Sequence, residues 1–303
     1  LAGLPYEVPA STINRLCASS LDSIIQASRA IWSGDADVII AGGVESMSRA
    51  PYSLPKFPSG AVVNIKAYDT ALGWRYPNPK MQERFPLESM GETAENVAGK
   101  YDISRSEQDA FALASHKKAV EAQAKGLFAD ELVPVHIESK KGNGEIVEKD
   151  EGPRPDTSRE KLAALPPAFR KNGTVTSGNS SSLNDGAAAV LVTSEEKASA
   201  LGLKPMARIV STGIAGVDPR FMGMGPVPAT RKALYKAGLT IHEIDLIELN
   251  EAFASQSIAV VRNLEEQRSS VEDIRKLIVN PESDRPVTLD AVADIEVGSG
   301  PSE

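Results

Sequence analysis

Leu21, Ile24, Ile25, Ile31 and Trp32 recur at helical spacing and predict a helix over 17–33, with Ser28 its weak position and Gly34 its stop. Val38, Ile39 and Ile40 follow as a continuous apolar strand closed by Gly42 and Gly43. Such a run is usually buried on both faces, which favours a covered α/β sheet. From Pro51 to Pro86 the periodicity breaks, and six prolines with the scattered aromatics Phe57, Tyr68, Trp74 and Tyr76 predict an irregular excursion. Gly91 to Ala98 reads as a short helix ending at Gly99. Ser104 and Glu107 form a capping-box pattern before an alanine-rich helix that stops at Gly126. Val133, Val135 and Ile137 alternate, and Gly142-Asn143-Gly144 turns the chain back towards Ile146 and Val147 as a hairpin. The segment GPRPDTSREKL is a loop running into a short helix.

Residues 186–193, GAAAVLVT, read as another buried strand, and Ala207 to Val210 as the start of a further one. Pro226 or Pro228 opens a helix that ends at Gly238. Residues 245–249 predict a strand, followed by a helix from about Glu251 to Val261. The strand–helix order implies parallel pairing through right-handed crossovers. Ser270 and Asp273 cap a last predicted helix bearing Val271, Ile274, Leu277 and Ile278.

The chain has 303 residues, which at ~150 residues per domain suggests two domains. A hydrophobic share of 41% rules out disorder over the whole length. Lys plus Arg is 33 against 41 for Asp plus Glu, so the net charge is −8. A nucleic-acid partner is not expected from that balance. Residues 265–303 hold ten acids and four bases, so most of the acidity sits in the tail and says little about ligands of the main body. No apolar run approaches the ~18 residues of a membrane helix. The opening segment LAGLPYEVPA has no basic n-region and does not read as a signal peptide. A single cysteine excludes intrachain disulfides and four-cysteine zinc sites, and suits a reducing cytosol.

Few residues carry chemistry by position. Cys17 stands just before the first predicted helix, where backbone N–H groups favour a thiolate; on position alone, a small buried hydrophobe is the commoner role for a lone cysteine. Asn250 lies in NEAFA, where a predicted strand meets a helix, the edge that holds ligands in open α/β sheets. It could hold a water or a carbonyl oxygen, and a helix N-cap is the simpler role. Gly223-Met224-Gly225 lacks the third glycine of a dinucleotide loop, because Pro228 stands there. His116, His136 and His242 have no metal-ligand spacing to one another or to the cysteine, and each reads as a surface residue.

Taken in order, these pieces resemble the thiolase family of acetyl-CoA acyltransferases. INRLCASSLDSIIQASRAIWSGDADVIIAGGVESMSRAPY resembles the segment with the acyl-accepting cysteine. MGETAENVA, GTVTSGNSSSLNDGAAAVLV, GVDPRFMGMGPVPATRKAL and LNEAFA match further family blocks. Five blocks in order overturn the plain reading of Cys17, and the likeness runs from Leu1 to about Leu264. The resemblance implies a layered αβαβα core with an inserted loop domain, both core domains being incomplete. It divides the chain into a partial N-terminal core over 1–54, the loop domain over 55–185, a return to the first core over 186–204, a partial C-terminal core over 205–264 and a divergent acidic tail over 265–303.

By the same resemblance Cys17 attacks the thioester and its backbone N–H helps bind the developing oxyanion. Asn250 holds the water of the other oxyanion site. Met90, Met222 and Phe253 line the pantetheine and acyl tunnel, Phe169, Ser177 and Ser181 contact the CoA arm, and Arg154 lies near the adenine. Coenzyme A enters as a substrate, with no permanently bound cofactor and no metal. The expected partners are CoA thioesters and further copies of the chain, as a homodimer or homotetramer in the cytoplasm, without nucleic acid or membrane. YDTALGWRYPNPKM and ESMGETAENVA are similar to the 3-oxoadipyl-CoA branch of the family. Ser89 stands where acetoacetyl-type members tend to carry His, which points to a larger, polar acyl group.

The departures concern the acid and base. Thiolases carry a GHP histidine that activates the nucleophile and a second cysteine in a CxGGG segment that moves the α-carbon proton. Here no histidine precedes a proline and Cys17 is the lone cysteine. Ser20 replaces a glycine common after the nucleophile and is expected to crowd the acyl pocket. The alternative to an impaired thiolase is therefore a non-catalytic CoA-ester-binding relative, with a structural subunit a weaker third reading.

Overall fold

A computed structural model describes residues 2–56, 65–138, 142 and 144–265. Its elements run α1 (Ser19–Ser33), β1 (Val38–Glu45), β2 (Tyr52–Ser53), β3 (Tyr68–Asp69), α2 (Pro79–Gln82), α3 (Met90–Lys100), α4 (Arg105–Ala124), β4 (Val135–Ile137), β5 (Glu145–Val147), α5 (Arg159–Ala163), β6 (Gly186–Thr193), α6 (Glu195–Ala200), α7 (Pro226–Ala237) and α8 (Ala254–Glu265). They fall into two compact units. Among the described residues, one comprises those of 2–76 with Leu183–Thr212, the other those of Pro77–Ser182 with 213–265.

The first unit is a helix laid on a two-stranded sheet. Ala27 of α1 packs on Ala41 of β1 and Val192 of β6, with Ile24, Ile31, Ile39 and Ile209 around them. Gly34 ends α1 in the left-handed region at φ 79°, a conformation glycine adopts without a Cβ clash. Four expectations fail here. The strand does not stop at Gly42 and Gly43 but runs through them to Glu45. A Cβ on Gly42 would lie 2.5 Å from the Ala188 carbonyl oxygen, so glycine is what lets the two strands stay this close. Pairing is antiparallel, from Val38 opposite Thr193 to Glu45 opposite Gly186, because the long excursion between the strands brings the chain back at the far end of β1. Nor are the strands buried on both faces. Only α1 covers them among the described residues, and Ile40, Val44, Val190 and Leu191 are exposed. Ala207 to Val210 forms no strand; Ile209 alone turns inward onto the α1 cluster.

The second unit is mainly helical. Val97 of α3, Val227 of α7, and Ala259, Val260 and Leu264 of α8 form its core with Ile103, Met224 and Ile241. The predicted box opens α4: the Ser104 backbone N–H donates to Glu107 at 2.7 Å while Glu107 N–H donates back to Ser104 Oγ at 3.3 Å. The Ser104 hydroxyl, which donates to Glu107 Oε2 at 2.7 Å, then the Ser104 N–H and Arg262 of α8, hold the Glu107 carboxyl at about 2, below the ordinary 4.5. Ser89 and Glu92 make the same box at α3, which sequence reading missed. The hairpin of β4 and β5 forms as expected, with Val135 opposite Val147. Helix α7 opens at Pro226 and ends at Gly238, whose φ is 68°.

Residues 245–249 are not a strand. A strand needs a neighbouring ladder, and no described strand lies beside them. Helix α8 also starts later than Glu251, because Ala252 to Ala254 pair with the 179–181 segment instead. Ser181 N–H donates to Ala252 O and Ala254 N–H to Asn179 O, both at 3.0 Å. Phe57, Asn143 and the helix predicted around 270–278 lie outside the described residues.

Candidate active site

Cys17 sits in a tight 3-10 turn, Leu16–Ala18, that feeds α1. Leu16 adopts φ 50°, in the left-handed region that a leucine rarely enters. Its side chain is exposed, so packing does not offset that strain; hydrogen bonds do. Leu16 N–H donates to Asn14 Oδ1 at 2.8 Å, Ser19 Oγ donates to Leu16 O at 2.7 Å, and Arg15 N–H donates to Ser19 Oγ at 2.8 Å. Arg15 Nε also meets the buried carboxylate of Asp22 at 3.1 Å. The turn holds the Cys17 thiol exposed at the entrance to α1. The Ser20 hydroxyl packs on β1, where a Cβ added to Gly43 would come within 2.5 Å of it.

The other residues singled out from sequence lie in the second unit. Met90 is the first residue of α3, after the Ser89 cap. Phe169 lies on the next residue: a Cβ at Gly91 would overlap its ring. Phe169 also meets Phe253 edge-on, with centroids 6.2 Å apart. Phe253 bridges to Ser180, and Ser181 is tied to Ala252, so Met90, Phe169, Ser181 and Phe253 belong to one surface built on α3 and the start of α8. Met222 stands in the Pro219–Met224 turn, half-exposed, while its neighbour Gly223 faces Gln256 of α8. Ser177 and Asn250 are exposed. Asn250 is not the cap of α8, which starts only at Ala254. Arg154 is exposed on the loop leading to α5.

A buried polar set fixes the segment that carries Ser177 and Ser181. The Glu95 carboxylate accepts the Thr174 and Val175 N–H groups, each at 2.8 Å. Asn179 Nδ2 donates to Asp109 at 3.0 Å, and Asn179 Oδ1 accepts Thr176 N–H at 2.8 Å. Sequence reading passed over Glu95. The signal was a charge on the face that Gly91, Ala94 and Ala98 share at helical spacing. His116, expected at the surface, is half-buried: its Nδ1 accepts Arg154 N–H at 3.1 Å, and burial lowers its pKa below 6.5, helped by the Arg154 charge and opposed by Glu251. A cleft of about 430 Å³ beside Asn96, Lys100, Arg170 and Arg220 contains none of the predicted residues. Its guanidinium groups are already engaged, Arg220 by Asp218 and Arg170 by Asn96.

Gly91→Ala tests the α3 surface directly. Its methyl must push the Phe169 ring away from Phe253; overpacking of this kind costs about 1–3 kcal/mol. We expect a lower unfolding midpoint, measured by urea titration.

The chain matches the family models of both thiolase domains. Residues 1–196 match "Thiolase, N-terminal domain" and 203–275 match "Thiolase, C-terminal domain". It therefore belongs to the thiolase family, and its fold is the thiolase-like α/β fold. The second match runs past Leu264, where the likeness was expected to end. Over 264 residues the chain is 53% identical to a 3-oxoadipyl-CoA/3-oxo-5,6-dehydrosuberyl-CoA thiolase of Escherichia coli K12, covering 87% of this chain and 66% of that protein. A beta-ketoadipyl-CoA thiolase of Pseudomonas putida matches with the same identity and coverage. The crystal structure of the Bacillus anthracis acetyl-CoA acetyltransferase superposes with a TM-score of 0.79 at 44% identity, over 87% of this chain and 66% of that one. The chain thus spans just under two thirds of the length of the relatives it matches.

Among the described residues, no helix is long and apolar enough to cross a membrane, and no three His, Cys, Asp or Glu side chains are grouped to hold a metal.

Proposed function

We propose that this chain is an acyltransferase of the thiolase type that moves acyl groups between CoA thioesters with Cys17 as the acyl carrier, and that it is impaired in the carbon–carbon step. The observation that carries the reading is an exposed cysteine held at the entrance to a helix by a strained, hydrogen-bonded turn, in a chain matching both thiolase domains. The thiolate of Cys17 adds to the 3-oxo carbonyl of a 3-oxoacyl-CoA. The resulting oxyanion is met by the Cys17 N–H, and Asn250 holds the water that serves the second oxyanion site. The C2–C3 bond then breaks, leaving the acyl group on sulfur and acetyl-CoA as a carbanion that must take up a proton. The thiol of a second CoA displaces the acyl group and frees Cys17.

Met90, Met222 and Phe253 line the path of the acyl group and pantetheine, Phe169, Ser177 and Ser181 contact the arm, and Arg154 lies near the adenine. The names of the relatives and Ser89 favour a dicarboxylic acyl group such as 3-oxoadipyl. We place the protein in the cytoplasm as a homodimer or homotetramer, with the loop domain over 55–185 inserted into the first core. A second reading, a CoA-ester binder without turnover, is favoured by one observation: no histidine precedes a proline and there is one cysteine.

Calorimetry with acetyl-CoA and 3-oxoadipyl-CoA tests what both readings share. Folded protein should bind both, the dicarboxylic thioester more tightly. Binding of neither removes both readings and leaves a structural subunit.

A further inference from the structure

Helix α4 offers two adjacent side chains to two different segments. Ser115 Oγ donates to Glu251 Oε2 at 2.5 Å, and Glu251 directly follows Asn250. His116 Nδ1 accepts the backbone N–H of Arg154 at 3.1 Å. Successive residues of a helix point about 100° apart, which is why neighbours can serve different loops. Gln123, further along α4, donates to Asp150 O at 3.2 Å and ties the same loop at a second point.

We infer that Ser115 and His116 are a positioning pair that holds the Asn250 segment and the Arg154 loop on one helix, with His116 acting as a neutral acceptor. Loop docking, and with it CoA binding, then weakens when His116 is protonated. The part concerning CoA rests on the reading above.

The chemistry follows from the imidazole. Nδ1 accepts a hydrogen bond only when it carries no proton; in the cation both ring nitrogens are donors and face the Arg154 N–H donor to donor. In the undocked loop the ring is in water and titrates near its ordinary 6.5, whereas burial in the docked state disfavours the charged form. The docked state therefore binds fewer protons. Docking is at full strength above about 6.5 and weakens as pH falls below it. Of the charged groups facing the ring, Arg154 on the loop disfavours the cation and Glu251 ahead of α8 favours it. Lys117 and Lys118 follow on α4 itself. The ion pairs where α4 meets α5 and α8, Arg105–Asp109 and Arg262–Glu107, lie about two turns nearer the start of the helix.

The test uses the full chain, its His116→Asn and His116→Ala variants, and CoA as the probe. Exchange of the Arg154 amide is followed by NMR and CoA affinity by calorimetry, both from pH 8 to pH 5. Asn places its Oδ1 close to the position of Nδ1 and accepts at every pH. Wild-type affinity should fall about threefold or more further across this range than that of His116→Asn, whose acceptor does not titrate. The CoA phosphate also titrates near ~6, but equally for all variants, so the ratio removes it. His116→Ala should bind weakly throughout, and its Arg154 amide should exchange fast. Ser115→Ala should lower affinity at every pH and keep the wild-type profile.

Identical pH profiles for the wild type and His116→Asn, in both exchange and affinity, overturn the inference. So does unchanged Arg154 exchange in His116→Ala. If no variant binds CoA but the Arg154 amide still follows His116, the positioning role stands and the CoA reading fails.

Discussion

Cys17→Ser should leave CoA-ester binding in place and abolish acyl transfer to the protein. After incubation with acetyl-CoA, mass spectrometry of the wild type should show an acetylated fraction on the peptide that contains residue 17. The serine variant should show that adduct at least ~10³-fold more slowly, the scale of loss when a nucleophile is removed. The two side chains are nearly the same size and the position is exposed, so folding should not change. Their nucleophilicity differs greatly. A free cysteine is already a few per cent thiolate at neutral pH, and the thiolate is intrinsically reactive; a serine hydroxyl needs an adjacent base. Iodoacetamide should label Cys17 in the folded protein near neutral pH, because the turn leaves the thiol exposed. A Cys17 that stays unlabelled in folded protein would remove the nucleophile assignment.

The helices were legible because their signals are local. Ser104 and Glu107 specify an N-terminus within four residues, and Gly34 and Gly238 end their helices in the left-handed conformation expected of them. The strands were less legible because pairing is not local. An apolar run such as Val38–Ile40 does not encode its partner, and the partner proved to be an antiparallel segment some 150 residues away. Residues 245–249 have the composition of a strand but no ladder beside them, while Ala252 to Ala254 spend their backbone groups on the 179–181 segment.

The site divides in the same way. Cys17 could be placed before its helix from sequence, Phe253 could be named from a family block, and Phe169 from its spacing to one. Their edge-on contact could not be read, since it depends on Gly91 leaving room for the Phe169 ring. His116 was read as a surface residue because it is flanked by Lys117 and Lys118. A helix turns each of those three side chains in a different direction, and only His116 meets the Arg154 loop. Glu95 shows the converse: a carboxylate on an otherwise small, apolar face signals a buried polar contact, and it accepts two backbone N–H groups of the 174–175 segment.

Cleavage of 3-oxoadipyl-CoA by the 303-residue chain should stay near background while Cys17 accepts an acyl group slowly. The two steps ask for different help. Acyl transfer to sulfur needs a thiolate, and a free cysteine is already a few per cent thiolate at neutral pH. Breaking the carbon–carbon bond leaves a carbanion next to a thioester, a very weak acid's conjugate base, and needs a placed proton donor. A general acid or base contributes typically ~10²–10⁴-fold, and two that work together do not add simply. The sequence offers one cysteine and three histidines, none of them followed by proline. His116 Nδ1 is taken up by a backbone N–H, and burial lowers its pKa, which disfavours the imidazolium that would serve as the acid. His136 lies in the β4–β5 hairpin and His242 in an exposed turn after α7. The expected result is a small acylated fraction by mass spectrometry alongside thiolytic cleavage at least ~10²-fold below that of a full-length relative such as the Escherichia coli enzyme, assayed at equal concentration of folded protein. Turnover comparable to that relative would show that another group delivers the proton. His116→Asn, His136→Asn and His242→Asn, each assayed for cleavage and for Cys17 acylation, would then identify it as the variant that loses the first activity and keeps the second.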